Sequence, residues 1–392
     1  MSLRHPIPET PPAPIHLSEN ARILVVKLAA LGDLLLTTPA LRALHQRYPQ
    51  AQIDVLTTAQ SALLLGDSPL LDHVYALDKY RFDYPAQILQ RPWRLLKLSP
   101  LLSELRDQQY DAILLGHHLT LPFGRLKYRA LLMALGAPLR IGLDNGYGQF
   151  LTSGVPDRGF GLCHEAEYNL ALAAALDASL PGEGQGLRLS DLGWEDILET
   201  RPPATEAPRI ALHPGSGGYS LARRWPAERY AELASALHEE TRARFVLVGG
   251  TEEHELHESI LQMLDHPAWA TSAAGATNPK QLAATLAQCA LFVGNDSLPM
   301  HLAAAVDIPL VAIFGPSNAS AWAPWTPSKR EQSIVVRRTD LPCMPCFYCG
   351  HELGTPEGCP PRMCLTELGI APVLVAARRL LRRAHAAAVR DG

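Results

Sequence analysis

The chain has 392 residues, 47% of them apolar and 19% charged, and a formal net charge of −4 at pH 7. A globular chain of this length is comfortable as two domains. Its weakly negative balance excludes nucleic acid as the main partner, which requires a basic field, and no apolar run reaches the roughly 18 residues of a membrane-spanning helix.

Residues 1–18 are proline-rich and lack the apolar stretch of a secretory signal, so they read as a disordered tail on a cytoplasmic protein. In that compartment the seven cysteines stay reduced. Residues 22–28 form the first buried strand. Gly32 turns the chain, and 34–48 read as a helix stopped by Pro49. Strands follow at 52–57, 73–77, 111–116 and 139–143, with helices at 92–108, 125–135 and 165–176. Glycines at 181–185 and prolines at 201–208 mark a break. Strands then resume at 209–212, 243–248, 289–293 and 308–314, with helices at 226–238, 252–264, 279–288 and 302–306. A basic amphipathic helix closes the chain at 372–389. Strands alternating with helices imply parallel sheets covered on both faces. The expected organisation is a tail at 1–18, a Rossmann-like domain at 19–190, a linker at 191–208, a second such domain at 209–370 and a terminal helix at 371–392. The two domains are expected to face a cleft, with ligands at the strand carboxyl ends.

Three motifs fall at such strand ends. Asp33 follows strand one in K-L-A-A-L-G-D; as a carboxylate it could accept a proton from a substrate hydroxyl, and otherwise it caps a helix. His213 opens H-P-G-S-G-G-Y-S-L-A-R-R-W-P, a glycine-rich loop ending in Arg223 and Arg224. Exposed N–H groups on Gly215, Ser216 and Gly217, with a forked cation after them, suit a diphosphate; the ordinary alternative is a surface loop. Asp296, Ser297 and His301 lie in V-G-N-D-S-L-P-M-H, between a buried strand and a small-residue helix, where a helix start favours an anion. Read blandly, this is a helix cap and a core histidine.

In their order and spacing these motifs resemble the heptosyltransferase family of lipopolysaccharide synthesis, glycosyltransferase family nine. So do the P-A-L-R-A-L helix with its trailing Y-P, the I-F-G-P strand end and the late cysteine cluster, from about residue 22 to the C-terminus. The resemblance implies an α/β chain with two Rossmann-like domains facing a cleft, the glycosyltransferase B fold. It implies inverting transfer of a sugar from a nucleotide donor, typically ADP-heptose, to a lipopolysaccharide or related glycan precursor, with no metal in the chemistry. It casts Asp33 as the base, Arg223 as the contact to donor phosphates, and Asp296, Ser297 and His301 as the donor-binding turn. Two positions depart from the family pattern: Arg223 replaces the usual Lys, and Leu298-Pro299 stands where the family has a Gly after D-[ST].

Other features add partners. Cys343, Cys346, Cys349, Cys359 and Cys364 follow C-x2-C-x2-C-x9-C-x4-C, a spacing that suits a closed thiolate site for zinc or, second to it, an iron–sulfur cluster, or alternatively reduced thiols in a proline-rich loop. The resemblance favours Cys343, Cys346, Cys359 and Cys364 as zinc ligands. Lys27, His117 and Arg125 are acceptor-side candidates, in a domain that also carries Arg91, Arg94, Lys97, Lys127, Arg129 and Arg140. Together with Arg378, Arg379, Arg382 and Arg383 they could meet a lipid-linked acceptor or the inner face of the inner membrane. The alternatives to sugar transfer are a nucleotide-sugar epimerase of the same fold, or a degenerate member that only binds sugar nucleotides.

Overall fold

The computed structural model describes residues 5–79, 90, 98–200, 207–276, 278–327 and 330–391. It divides into two compact units, Met1–Gln185 with Asp191–Gly193, and Gly186–Ser190 with Trp194–Gly392.

The first unit runs β1 (Arg22–Lys27), α1 (Leu31–Leu35), α2 (Thr38–Arg47), β2 (Gln52–Thr57), α3 (Ala59–Leu65), β3 (His73–Ala76), α4 (Ser99–Asp107), β4 (Ala112–Leu115), α5 (Pro122–Leu135), β5 (Leu139–Asp144), β6 (Ser153–Pro156) and α6 (Glu165–Ala174). Its sheet has the order β3-β2-β1-β4-β5-β6. All its pairings are parallel, and Val25 lies opposite Val55 on one side and Leu114 on the other. Every residue of β1 after Arg22 is buried, as a strand covered on both faces requires. Leu24, Val26, Ile113 and Leu132 share one apolar cluster.

The second unit repeats the pattern. It runs β7 (Arg209–His213), α7 (Ala227–Thr241), β8 (Arg244–Leu247), α8 (His254–Met263), β9 (Ala270–Ser272), α9 (Pro279–Ala287), β10 (Leu291–Asn295), α10 (Leu298–Val306), β11 (Leu310–Ile313), α11 (Ala319–Trp322), β12 (Ser333–Val336), α12 (Met363–Thr366) and α13 (Ile370–Asp391). Its parallel sheet, read from the far edge, is β9-β8-β7-β10-β11-β12. α7 shows why these helices form. Pro226 opens it, Tyr230, Leu233, Ala234 and Leu237 bury one stripe, and Arg242 ends it with a left-handed φ of 58°.

Both sheets therefore carry the Rossmann order, in which the connections reverse direction between the first and fourth strands. At that reversal, adjacent loops diverge to opposite faces and leave a crevice at the strand carboxyl ends. In the first unit it lies between β1 and β4, and in the second between β7 and β10.

The structure corrects several expectations. The helix expected at 34–48 is two helices, because the chain turns at Leu36 and Thr37 and α2 restarts with Pro39 in its first turn. The N-terminal segment from His5 is strapped to the first unit. The N–H groups of His5 and Ile15 donate to the carbonyls of Gly146 and Ala175, and His5 pairs with Asp144 at 3.1 Å. The expected linker is in part ordered: Glu195–Thr200 forms a 3-10 turn packed on α9, with Trp194 and Ile197 buried. Residues 91–97, including Arg91, Arg94 and Lys97, lie outside the described residues. Among those described, no helix is long and apolar enough to cross a membrane.

Candidate active site

At the crevice of the first unit, β1 ends at Lys27 and Leu28 follows it. Ala30 is the N-cap of α1, so Asp33 is not its capping residue; it sits in the first turn, where the helix field favours an anion. Lys27 is buried, and its Nζ donates to the Gly116 carbonyl at 2.8 Å, bracing β1 against the end of β4. The Leu28 N–H donates to His117 Nε2 at 2.7 Å. That bond leaves the imidazole proton on Nδ1. Burial, then the charges of Lys27, Lys79 and Lys127, hold the His117 pKa well below its ordinary value, so the ring is neutral. It stacks on Tyr128 at 4.7 Å. Lys79, which the sequence did not single out, donates to the Leu28 carbonyl at 2.7 Å.

The next residue behaves in the opposite way. His118 lies between Asp157 at 2.9 Å and Glu165 at 3.0 Å. Burial works to lower its pKa, but the Glu165 charge and the hydrogen bonds to both carboxylates raise it to about 9. Burial likewise works to raise the Glu165 pKa, and the His118 charge and hydrogen bond bring it below the ordinary value. This is a buried cation held by two carboxylates, packed against Phe160 and Tyr168.

At the crevice of the second unit, the β7 loop and the β10 turn are joined by two side chains. Arg223 donates from one terminal nitrogen to the Asp296 carbonyl at 2.9 Å and from the other to the Ser216 carbonyl at 2.9 Å; its contact to Asp296 Oδ2 is longer, at 3.4 Å. Fully buried Asn295 donates to the carbonyls of Pro214 and Gly215 and accepts from the Trp225 N–H and the Tyr230 hydroxyl. The asparagine of N-D-S thus shapes the loop, and Arg223 ties it to the β10 turn at Asp296.

The glycine-rich loop itself is arranged differently from expectation. The N–H groups of Ser216 and Gly217 donate to the buried carboxylate of Glu253 at 2.8 and 3.0 Å, as does that of Gly250 at 3.1 Å. Arg224 stands 3.6 Å from the same carboxylate. A Cβ at Gly215 would fall on Glu253, and Gly217 has φ +64°, so each glycine has its own reason. In this structure the Ser216 and Gly217 N–H groups thus serve a protein anion. Burial works to raise the Glu253 pKa, but His213, the loop N–H groups and Arg224 hold it below the ordinary value. His213 donates from Nδ1 to the Val248 carbonyl at 2.8 Å, and burial lowers its pKa. It ties β7 to β8. The sequence signal for Glu253 was present: it lies three residues after Gly250 at a strand end, in capping-box position.

α10 begins at Leu298, four residues before the helix expected at 302–306, with Ser297 as N-cap. Pro299 falls in its first turn, where the missing N–H is no loss to the helix. Leu298 is not among the residues with positive φ, so replacing the family glycine brings no backbone strain. His301 is buried in the same helix.

The other candidates sort by their partners. Arg125 donates to the carbonyls of Leu119 and Thr120 and lies 3.3 Å over the Tyr147 ring, so it clamps a loop. Arg378 and Arg383 pair with Glu240 and Glu331. Cys343, Cys359 and Cys364 join burial in pushing the Cys346 thiol up to about 11, whereas Cys349 is shifted by burial and Glu352. Cys346 is thus within electrostatic reach of the other three thiols favoured as ligands. The Cys346 thiol donates to the Cys343 carbonyl at 3.0 Å. Among the described residues no three His, Cys, Asp or Glu side chains stand in metal-holding geometry.

Comparison with known proteins gives the family and the fold. The family description "Glycosyltransferase family 9 (heptosyltransferase)" matches residues 99–354. Lipopolysaccharide heptosyltransferase 2 of Salmonella typhimurium is 30% identical over 326 residues, covering 81% of this chain and 88% of the relative. The structure of Escherichia coli ADP-heptose LPS heptosyltransferase II superposes with a TM-score of 0.66 at 26% identity, over 92% of this chain and 99% of that one. A glycosyltransferase family 9 structure from Veillonella parvula gives 0.68 at 21% identity, over 94% and 99%. Their common fold is the two-domain α/β glycosyltransferase B fold. This chain belongs to glycosyltransferase family 9, the heptosyltransferases, and is a glycosyltransferase.

Proposed function

We propose that the protein transfers heptose from ADP-heptose, with inversion, to a lipopolysaccharide core precursor. The observation that carries this reading is the 30% identity to lipopolysaccharide heptosyltransferase 2 over 88% of that protein's length. Asp33 takes the proton from the acceptor hydroxyl as its oxygen bonds to the anomeric carbon, and the bond to the diphosphate breaks. Arg223, bonded to the Asp296 carbonyl, and the start of α10 receive the charge that develops on the leaving ADP. Glu253 keeps the glycine-rich loop in shape without touching the donor. No metal or cofactor enters these steps.

The test supplies the chain with ADP-heptose and truncated lipopolysaccharide and reads the product by mass spectrometry. A gain of one heptose is expected. Asp33→Asn should lower kcat by about 10²–10⁴-fold while ADP-heptose affinity is kept. Arg223→Ala should weaken that affinity by about 1.5–3 kcal/mol. No heptose gain on any core acceptor, or an unchanged kcat in Asp33→Asn, overturns the reading.

A further inference from the structure

The β1–β4 ladder gives way to side chains just before Asp33. Val26 lies opposite Leu115, and the Gly116 N–H donates to the Val26 carbonyl. Had that parallel register continued, the Leu28 N–H would next reach the Gly116 carbonyl. Instead Lys27 Nζ takes that carbonyl at 2.8 Å, and the Leu28 N–H turns to His117 Nε2 at 2.7 Å. The Leu28 carbonyl accepts from Lys79 Nζ at 2.7 Å, and the Ala29 carbonyl from the Ser61 hydroxyl at 2.8 Å. Side chains have thus replaced the ladder where the chain leaves β1 for the turn that carries Asp33. Lys27 and Lys79 can only donate. His117 supplies the acceptor, and an imidazole nitrogen accepts only while the ring is neutral and protonated on its other nitrogen. Burial, and then the charges of Lys27, Lys79, Lys127 and His118, keep the ring neutral. Stacking on Tyr128, with 20° between the planes, fixes its orientation.

We propose that His117 is a positioning residue for sugar transfer: through the Leu28 N–H it holds the β1–α1 turn where Asp33 meets the acceptor hydroxyl. The inference rests on the reading of Asp33 as the base. Leu28 is buried, and only Ala29 and Ala30 separate it from α1, so a shift of its peptide is carried into the helical turn that bears Asp33. A misplacement of about 1 Å at reacting groups can lower a rate by about a hundredfold. A direct contact between His117 and the acceptor fits less well, because Nε2 is engaged by the backbone and one ring face lies on Tyr128.

A glutamine puts its Oε1 where Nε2 stands, whereas an asparagine oxygen reaches only the place of Nδ1, so this pair separates the hydrogen bond from the bulk of the ring. Hydrogen exchange of the full chain, read by mass spectrometry, tests the bond without substrate. Exchange at the Leu28 amide should be about tenfold faster in His117→Asn and His117→Leu, as expected for the loss of one hydrogen bond, and nearly unchanged in His117→Gln. With ADP-heptose and truncated lipopolysaccharide, His117→Asn and His117→Leu should lower kcat by about 10- to 100-fold with both KM values within about twofold of wild type, and His117→Gln should recover kcat to within about threefold. No transfer by the wild-type chain would count against the proposed donor and acceptor alone, because the exchange pattern stands without them. The inference is overturned if Leu28 exchange is indifferent to the residue at 117, or if His117→Gln is as slow as His117→Leu. It is overturned equally if the variants raise the acceptor KM at unchanged kcat, which would mark His117 as an acceptor contact. Should His117→Leu fail to fold, the comparison of His117→Gln with His117→Asn decides.

Discussion

Adjacent histidines at the end of β4 have opposite charge states, and the difference lies in their partners. His117 meets a backbone N–H and lysines and is neutral; His118 meets two carboxylates and is charged. The sequence H-H shows neither partner. A folded pKa of about 9, above the ordinary 6.5, means that protonation favours the folded state. The His118 contribution is complete below about pH 6.5 and is lost as pH rises to about 9; for such a shift it is on the order of 3 kcal/mol. Glu165, held below its ordinary 4.5, contributes above that value and loses its contribution as pH falls through its folded pKa. The difference in unfolding free energy between the wild-type chain and His118→Gln should therefore peak at roughly pH 5–6.5 and shrink toward alkaline pH. Urea unfolding across the pH range measures it, and a difference that grows between neutral pH and pH 9 would contradict the assignment.

Among the elements, α10 was the most instructive misplacement. The helix is expected from sequence only at 302, and Pro299 reads as a lost donor N–H in the turn before it. The structure uses Pro in the first turn, and the Leu298 side chain stands half-buried at the helix start. Leu298→Gly should cost under about 1 kcal/mol of stability. It should also tighten ADP-heptose binding several-fold, because it opens the first-turn N–H groups to the donor. Calorimetry that finds no change for any nucleotide sugar would separate this turn from the donor. The strands missed were short and peripheral: β6, β9 and β12 have 4, 3 and 4 residues and lie at sheet edges. β6 and β9 read S-G-V-P and A-T-S, which are not apolar runs and so carry no strand signal.

Over the whole molecule, two sheets of the same order place four loops at two crevices, and the family motifs fall on them: Asp33 after β1, Arg223 after β7 and Asp296 after β10. The seven cysteines sort by location as well. Cys343, Cys349 and Cys359 are exposed, while Cys289 is buried and pushed up to about 12. Under native conditions at mildly alkaline pH, alkylation read by mass spectrometry should mark Cys343 and Cys359 first, Cys346 more slowly, and Cys289 only on unfolding. Protection of all the loop cysteines that chelators remove would instead show a metal gathering them.

The alternation of apolar runs with helical stretches was enough to specify two parallel α/β units, because strands buried on both faces must be written as continuous apolar segments. Turn residues at strand ends likewise singled out Asp33, Arg223 and Asp296, and the fold places each after a strand of a parallel sheet. Which donors remained available at those turns was decided only by tertiary structure. Glu253 lies 36 residues from Gly217 in sequence and takes its N–H, Lys27 is spent on Gly116, 89 residues away, and Arg125 is spent on its own loop. A side chain's chemistry is local, but its hydrogen-bond partners are set by chain crossings that no short stretch of sequence records.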